Sequence, residues 1–225
     1  MGSVPAVSTR PAGPSTTPQH ALEALRRAIV DGTLRPGQRV LQEEIAGRLG
    51  VSVAPVREAL RVLEQEGQVT YLPRRGYFVT ELRIEDLEEI YELRQVLEER
   101  AARWALPTLD DDAMQRIMLA ARDCVDAAEA GDVAGELEAN RRFHFAVLES
   151  PDHVHAMRLI RLLWDSTEAY RAMYYNSPEE RHEAIDAHDR IIAAIRAGAA
   201  DALVAELDAH RTRALGVLTG ILPRD

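Results

Sequence analysis

"VSVAPVREALRVLEQEG", residues 51–67, places a proline inside an otherwise amphipathic helical pattern. Its leading residues, Ser52, Val53, Ala54 and Pro55, carry almost no chemistry. Ser52 suits a helix N-cap, which puts Val53, Ala54 and Pro55 in the first turn. Amides there have no intrahelical acceptor, so a proline forfeits no hydrogen bond. Pro55 therefore marks a helix start, not a break. Val56, Leu60 and Leu63 form the stripe to be buried, and Gly67 ends the helix.

Working outward, "QEEIAGRLG" (42–50) reads as a short helix with Ile45 and Leu49 on one face, closed by Gly50. A further helix runs from Gln19 through Leu22, Leu25 and Ile29, and Gly32, Pro36 and Gly37 interrupt the chain after it. On the other side, "VTYL" (69–72) and "GYFVT" (76–80) flank "PRR", two β-rich runs around a basic tip. Helix, short helix, tight turn, helix and basic-tipped hairpin make a winged helix-turn-helix. Its second helix enters the DNA major groove by its N-terminal end. Small leading residues allow close approach to base edges, and Val53 or Ala54 can touch a thymine methyl. Arg57, one turn further in, can reach a base edge or a phosphate. The competing reading is an ordinary helical hairpin whose second helix is only core; the wing and the serine cap argue against it.

Residues 1–18, rich in Pro, Ser, Thr and Gly without apolar periodicity, read as a disordered tail. This leaves 19–80 as the DNA-binding domain and 81–225 as a second domain. The latter shows only helical patterns, in six segments near 84–105, 109–130, 132–149, 153–176, 178–197 and 199–219. "SPEE" (177–180) opens the fifth as a capping box. The expected fold is mainly α, a winged helix-turn-helix followed by an all-α bundle. Residues 1–80 hold 10 Arg and 7 acidic residues, net +3; residues 81–225 hold 17 Arg and 30 acidic residues, net −13. A basic front and an acidic back suit two different partners. All 27 basic residues are arginine, and Cys124 is the single cysteine, which excludes an internal disulfide and fits the cytoplasm. No apolar run approaches the ~20 residues of a membrane span, and the N-terminus lacks the basic-then-apolar opening of a signal peptide.

The second domain concentrates its polar interest in a few residues. Asn140 and His144 are four apart and share a helix face; His188 and His210 fall on the two following long helices, each among apolar neighbours. Histidines from different helices can converge on one metal in a bundle core, and imidazoles suit Zn²⁺ or Ni²⁺. Three core histidines satisfied by hydrogen bonds are the alternative. Arg94 sits on an apolar face and needs an anionic partner, which a glutamate on another helix could supply. Arg171 shares a stripe with Met157, Trp164 and Tyr174, although a surface position fits its spacing equally. A metal-dependent enzyme is the runner-up reading, but "EERH" (179–182) is the one E-x-x-H, and no Ser–His or Cys–His pairing has an orienting third residue. A helical protein-interaction module would leave the basic, small-residue helix edge unexplained.

"LRPGQRVLQEEIAGRLGVSVAPVREALRVLEQEGQVTYLPRRGYFV" (34–79) resembles the DNA-binding domain of GntR-family bacterial transcription regulators. "IYELRQVLEERAA", "NRRFHFAVLES", "AHDRIIAAI" and "DAHRTRAL" resemble the FCD effector domain of the FadR-type branch. The resemblance spans about residues 20–219. It implies that Ser52, Val53, Ala54 and Arg57 form the operator-reading end and that Arg74, Arg75 and Gly76 form the wing. It further implies that Asn140, His144, His188 and His210 hold a divalent metal, Zn²⁺ foremost, with Ni²⁺ or another ion as alternatives. Arg94 then lies near a small carboxylate effector, with Arg171 a further candidate. The family usually has aspartate in place of Asn140, and often arginine and threonine in place of Val53 and Ala54. The function implied is a homodimeric repressor on operator DNA, not an enzyme, with no membrane partner.

Overall fold

The computed structural model describes residues 17–174 and 177–222. Helix α1 (Thr17–Val30) opens the first domain, so Thr17 and Pro18, expected in the tail, form its first turn; residues 1–16 lie outside the described residues. Strand β1 (Arg39–Val40), α2 (Gln42–Leu49), α3 (Val53–Gln65), β2 (Val69–Leu72) and β3 (Gly76–Val79) follow. The wing is a three-stranded antiparallel sheet of order β1-β3-β2, not a lone hairpin. Strand β1, pairing Arg39 with Phe78 and Val40 with Tyr77, is too short to leave a periodic signal. Leu25, Ile29, Val40, Val56, Leu60, Leu63, Val69 and Val79 close the core. Leu60 and Leu63 are fully buried, each contributing about 1.5–3 kcal/mol against the exposed state.

The second domain begins at α4 (Ile84–Ala105), capped by Arg83 and Asp86. A 3₁₀ turn (Leu106–Thr108) leads to α5 (Asp111–Ala130), where Asp110 accepts the Ala113 amide at 2.8 Å. Then come α6 (Val133–Leu148), α7 (Val154–Ser166), α8 (Glu168–Tyr174), α9 (Pro178–Arg196) and α10 (Ala200–Ile221). The segment expected as one helix over 153–176 is two. The break falls at Thr167, whose Oγ1 donates to the carbonyls of Leu163 and Trp164 at 3.3 and 3.2 Å, while its backbone amide also turns to the Trp164 carbonyl, at 3.2 Å. At α9, Ser177 Oγ accepts the Glu180 amide as expected, while the Glu180 carboxylate takes Arg213 at 2.7 and 2.9 Å. Phe143, Leu148, Ile160, Trp164, Ile191, Leu203 and Leu207 make the main core.

The short helix α8 joins the two domains. Ala169 packs against both the first domain's core and the cluster of Leu87, Tyr91, Leu137 and Tyr170. The Tyr170 hydroxyl accepts the Leu82 amide of the linker at 2.7 Å. Gly67, at φ +75°, comes so close to α7 that a Cβ there would lie 3.2 Å from that of Ser166. No described helix is long and apolar enough to cross a membrane.

Candidate functional site

Two sites emerge, one on each domain. On the first, Ser52 takes the extended N-cap conformation, φ −74° and ψ 168°, but its hydroxyl makes no cap hydrogen bond. Ser52, Ala54 and Arg57 are exposed, whereas Val53 is half-buried and packs against the core. Ala54 therefore offers the freer methyl. Arg57 Nε lies 3.4 Å from Gln42 Oε1, a weak tether that leaves the guanidinium at the surface. At the wing tip Arg74 and Arg75 are exposed, Arg74 adopts φ +65° and the Arg75 guanidinium lies 5.2 Å from the Phe78 ring centre. Gly76, at φ +93°, leaves room beside Arg39, an exposed cation that the sequence did not single out. It reaches this edge only because β1 pairs with β3.

On the second domain, α6 supplies Asn140 and His144, α9 His188 and α10 His210. Each histidine places one ring nitrogen within 4.8 Å of the other two. Asn140 Oδ1 lies 3.0 Å from His188 Nε2, and Phe143 stacks on the His188 ring at 4.0 Å. Burial, then His210 and His188, hold His144 well below its ordinary value; burial and the charges of His210 and Arg171 do the same to His188. Burial, with Arg171 and Arg94, lowers His210 to about 4. All three are thus neutral at pH 7, the form that binds a metal. The Nδ1 atoms of all three are buried without a hydrogen-bond partner. Asn140 serves His188 alone, so hydrogen bonding does not account for the cluster, and the donor set fits a borderline dication such as Zn²⁺ or Ni²⁺.

Beside the histidines is a cavity of about 30 Å³, room for a water or two, lined also by Tyr91, Arg94, Glu98, Trp164, Arg171 and Arg211. Arg94 does not pair with another helix. Its Nε donates to Glu98 Oε1 at 2.8 Å, one turn along α4, and its guanidinium lies 4.3 Å from the Trp164 ring centre. Glu98 also accepts from Trp164 Nε1 at 2.7 Å and Arg211 Nη1 at 2.8 Å. Burial pushes the Glu98 carboxyl up, but Arg94 and Arg211 more than offset it and leave it below its ordinary value. Arg171 is in the cavity wall, not on the surface, 4.0 Å over Trp164. Neither Glu98 nor Arg211 was singled out from the sequence. The spacing of Arg94 and Glu98 was a readable ion-pair signal; Arg211, next to His210, left none.

From Arg171 a chain of charges leads toward the first domain. Arg171 Nη1 is 3.9 Å from Glu168 Oε2, Glu168 is 3.5 Å from Arg141, and Arg141 reaches Asp165 at 2.6 Å. Arg141, Asp165 and Glu168 line one side of a cleft of about 490 Å³ whose other side is Glu23, Arg26 and Arg27 of α1.

Residues 17–79 match the bacterial regulatory proteins of the gntR family, and residues 89–213 match the FCD domain. The chain is 27% identical to the uncharacterized HTH-type transcriptional regulator YdhC of Bacillus subtilis over 173 residues, 76% of this chain and 77% of that protein. It is 32% identical to the Nta operon transcriptional regulator of Aminobacter aminovorans over 151 residues, 66% and 70% of the two chains. Among solved structures, a GntR transcriptional regulator from Rhodococcus sp. RHA1 superposes with a TM-score of 0.78 at 25% identity, covering 93% of this chain and all of that one. Escherichia coli McbR/YncC shares the fold, with a TM-score of 0.79 at 24% identity over 91% and 98% of the chains.

Proposed function

Because the chain belongs to the GntR family of bacterial regulators and carries its FCD domain, we propose that it is a cytoplasmic homodimeric repressor whose hold on operator DNA is set by a small carboxylate bound beside a divalent metal. That it is a DNA-binding transcription regulator, and not an enzyme, follows from the family. The finer reading rests on one observation: three clustered histidines have buried, unpartnered Nδ1 atoms, and two of them, His144 and His210, line a cavity with Arg171.

In this reading residues 19–80 read DNA and residues 81–225 sense the effector. Ser52, Ala54, Arg57, Arg74 and Arg75 face the operator, with Val53 supporting the edge and Gly76 shaping the wing. His144, His188 and His210 hold the metal, with Asn140 as a neutral fourth donor. The bound dication supplies positive charge to a carboxylate oxygen. Asn140 leaves that charge uncompensated where the family's aspartate would reduce it. Arg171 takes the carboxylate, and the Arg94–Glu98 pair forms the wall. A cavity of about 30 Å³ cannot take a carboxylate without parting its walls, so occupancy and helix position are coupled. Helix α8 carries Arg171 at the cavity, Tyr170 on the linker and Ala169 on the DNA-binding core. An anion that pulls Arg171 inward therefore shifts the domain joint. The shift is limited to the ligand's preference for one state over the other.

The test measures affinity for a duplex selected by the protein from a random pool. Acetate, isovalerate, benzoate and citrate are titrated with and without added Zn²⁺. At least one should weaken DNA binding about fivefold or more in the presence of the metal, and His188→Ala should lose the response. DNA affinity indifferent to every carboxylate would sink the effector reading.

A further inference from the structure

Three arginines wall the cavity, and they are not equivalent. Arg94, Arg171 and Arg211 are only 5%, 6% and 6% exposed, so each requires an anionic partner. One deeply buried carboxylate, Glu98 at 2% exposure, serves two of them. Its Oε1 takes Arg94 Nε at 2.8 Å and Trp164 Nε1 at 2.7 Å, and its Oε2 takes Arg211 Nη1 at 2.8 Å. Arg211 also reaches Asp208 at 2.8 Å. Glu98 thus occupies an arginine pincer of the kind that recognises a carboxylate. Arg171 differs: its Nη1 is buried with no hydrogen bond, and its closest carboxylate, Glu168 at 3.9 Å, is shared with Arg141.

We infer that Glu98 sets the charge class of the effector, because it withholds Arg94 and Arg211 and leaves Arg171 to receive one carboxylate. A ligand with a second or third carboxylate would set it against Glu98, where like charges at low dielectric repel strongly. Apart from Asn140, His144 and His210 on the histidine side, the remaining lining, Tyr91, Trp164, Leu207 and Ala214, is aromatic or apolar. The cavity therefore suits a monocarboxylate with an apolar body and disfavours polycarboxylates. This rests on the carboxylate-effector reading above and names the class within it.

The test is calorimetric titration of the full-length protein with benzoate and with citrate. Wild type should bind benzoate at least about tenfold more tightly than citrate. Glu98→Gln, nearly isosteric and neutral, should cut that ratio about tenfold or invert it, with citrate gaining. Glu98→Asp keeps the charge and should keep the wild-type order. A merely structural role for Glu98 would lower both affinities together and leave the ratio fixed, and that result overturns the inference. So does a wild type that prefers citrate, or a loss of preference in Glu98→Asp, and these two arms decide the matter even if Glu98→Gln does not fold. If wild type binds neither anion nor any other carboxylate, the effector reading itself falls.

Discussion

The two domains treat their polar residues in opposite ways. In the DNA-binding domain the candidates Ser52, Ala54, Arg57, Arg74 and Arg75 are all exposed, over a core of aliphatic side chains. In the helical domain Arg94, Glu98, Asn140, His144, Arg171 and His188 are buried. A surface edge that waits for DNA draws little on folding stability. A buried site must balance most of its charge internally before a ligand arrives, and Glu98 does so for Arg94 and Arg211. Substitutions in the first region should therefore change binding and spare stability; in the second, they should reach stability first.

The strongest test of this contrast is Glu98→Ala. It leaves Arg94 and Arg211 buried without their shared carboxylate and Trp164 Nε1 without its acceptor. Destabilisation of about 3–5 kcal/mol is expected, read from urea unfolding. A loss under about 1 kcal/mol would show that the pair is solvated after all and would erase the difference between the domains.

Glu136 sharpens the same point by pH. It is 1% exposed, and neither carboxylate oxygen has a hydrogen-bond partner. Burial raises its pKa to about 7, only partly offset by Arg181 and His182; the Cys124 thiol across the α5–α6 contact is itself pushed up to about 12. The folded state therefore binds the proton more tightly than the unfolded chain does. Its contribution is fully present below the ordinary carboxylate range, near pH 4, and is lost as pH rises through about 7. Glu136→Gln should stabilise the protein by about 1–3 kcal/mol at pH 8 and by almost nothing at pH 4. A pH-independent difference would mean that the carboxylate ionises freely in the fold.

How much of this was legible follows the same division. Val56, Leu60 and Leu63 were identified by spacing alone and are fully buried, because apolar periodicity records burial directly. The three histidines and Asn140 were also brought together from helix positions, and they do meet. The sequence was silent where structure depends on pairing across the chain. Strand β1 has two residues, and its partner β3 lies far along the chain. The α7–α8 break has neither glycine nor proline, and Thr167 ends the helix through its own hydroxyl. Arg171 could have faced either way, since a charged residue's composition gives no sign of burial. Trp164, stacked under both Arg94 and Arg171, decides it.

Arg57→Ala tests the exposed side of the comparison. It should weaken specific DNA binding by about 1–3 kcal/mol if Arg57 reads a base, with unfolding free energy within about 0.5 kcal/mol of wild type. Equal weakening on random and selected duplexes would move Arg57 from base reading to phosphate contact.

The smallest effect is expected at Ser52, and it separates the two things a cap residue can do. Serine N-caps replaced by alanine ordinarily lose about 1 kcal/mol, because the hydroxyl satisfies a first-turn amide. Here Ser52 has the cap backbone conformation, but its side chain accepts no such bond. The hydroxyl is exposed at the leading end of α3, where first-turn amides and the positive end of the helix dipole favour a phosphate oxygen. Ser52→Ala should therefore change stability by less than about 0.5 kcal/mol. It should weaken DNA binding modestly, equally on selected and random duplexes, since a phosphate contact carries no sequence information. A full capping loss in the free protein would show that the hydroxyl turns inward in solution, and would make this one position of the exposed edge behave like the buried site of the other domain.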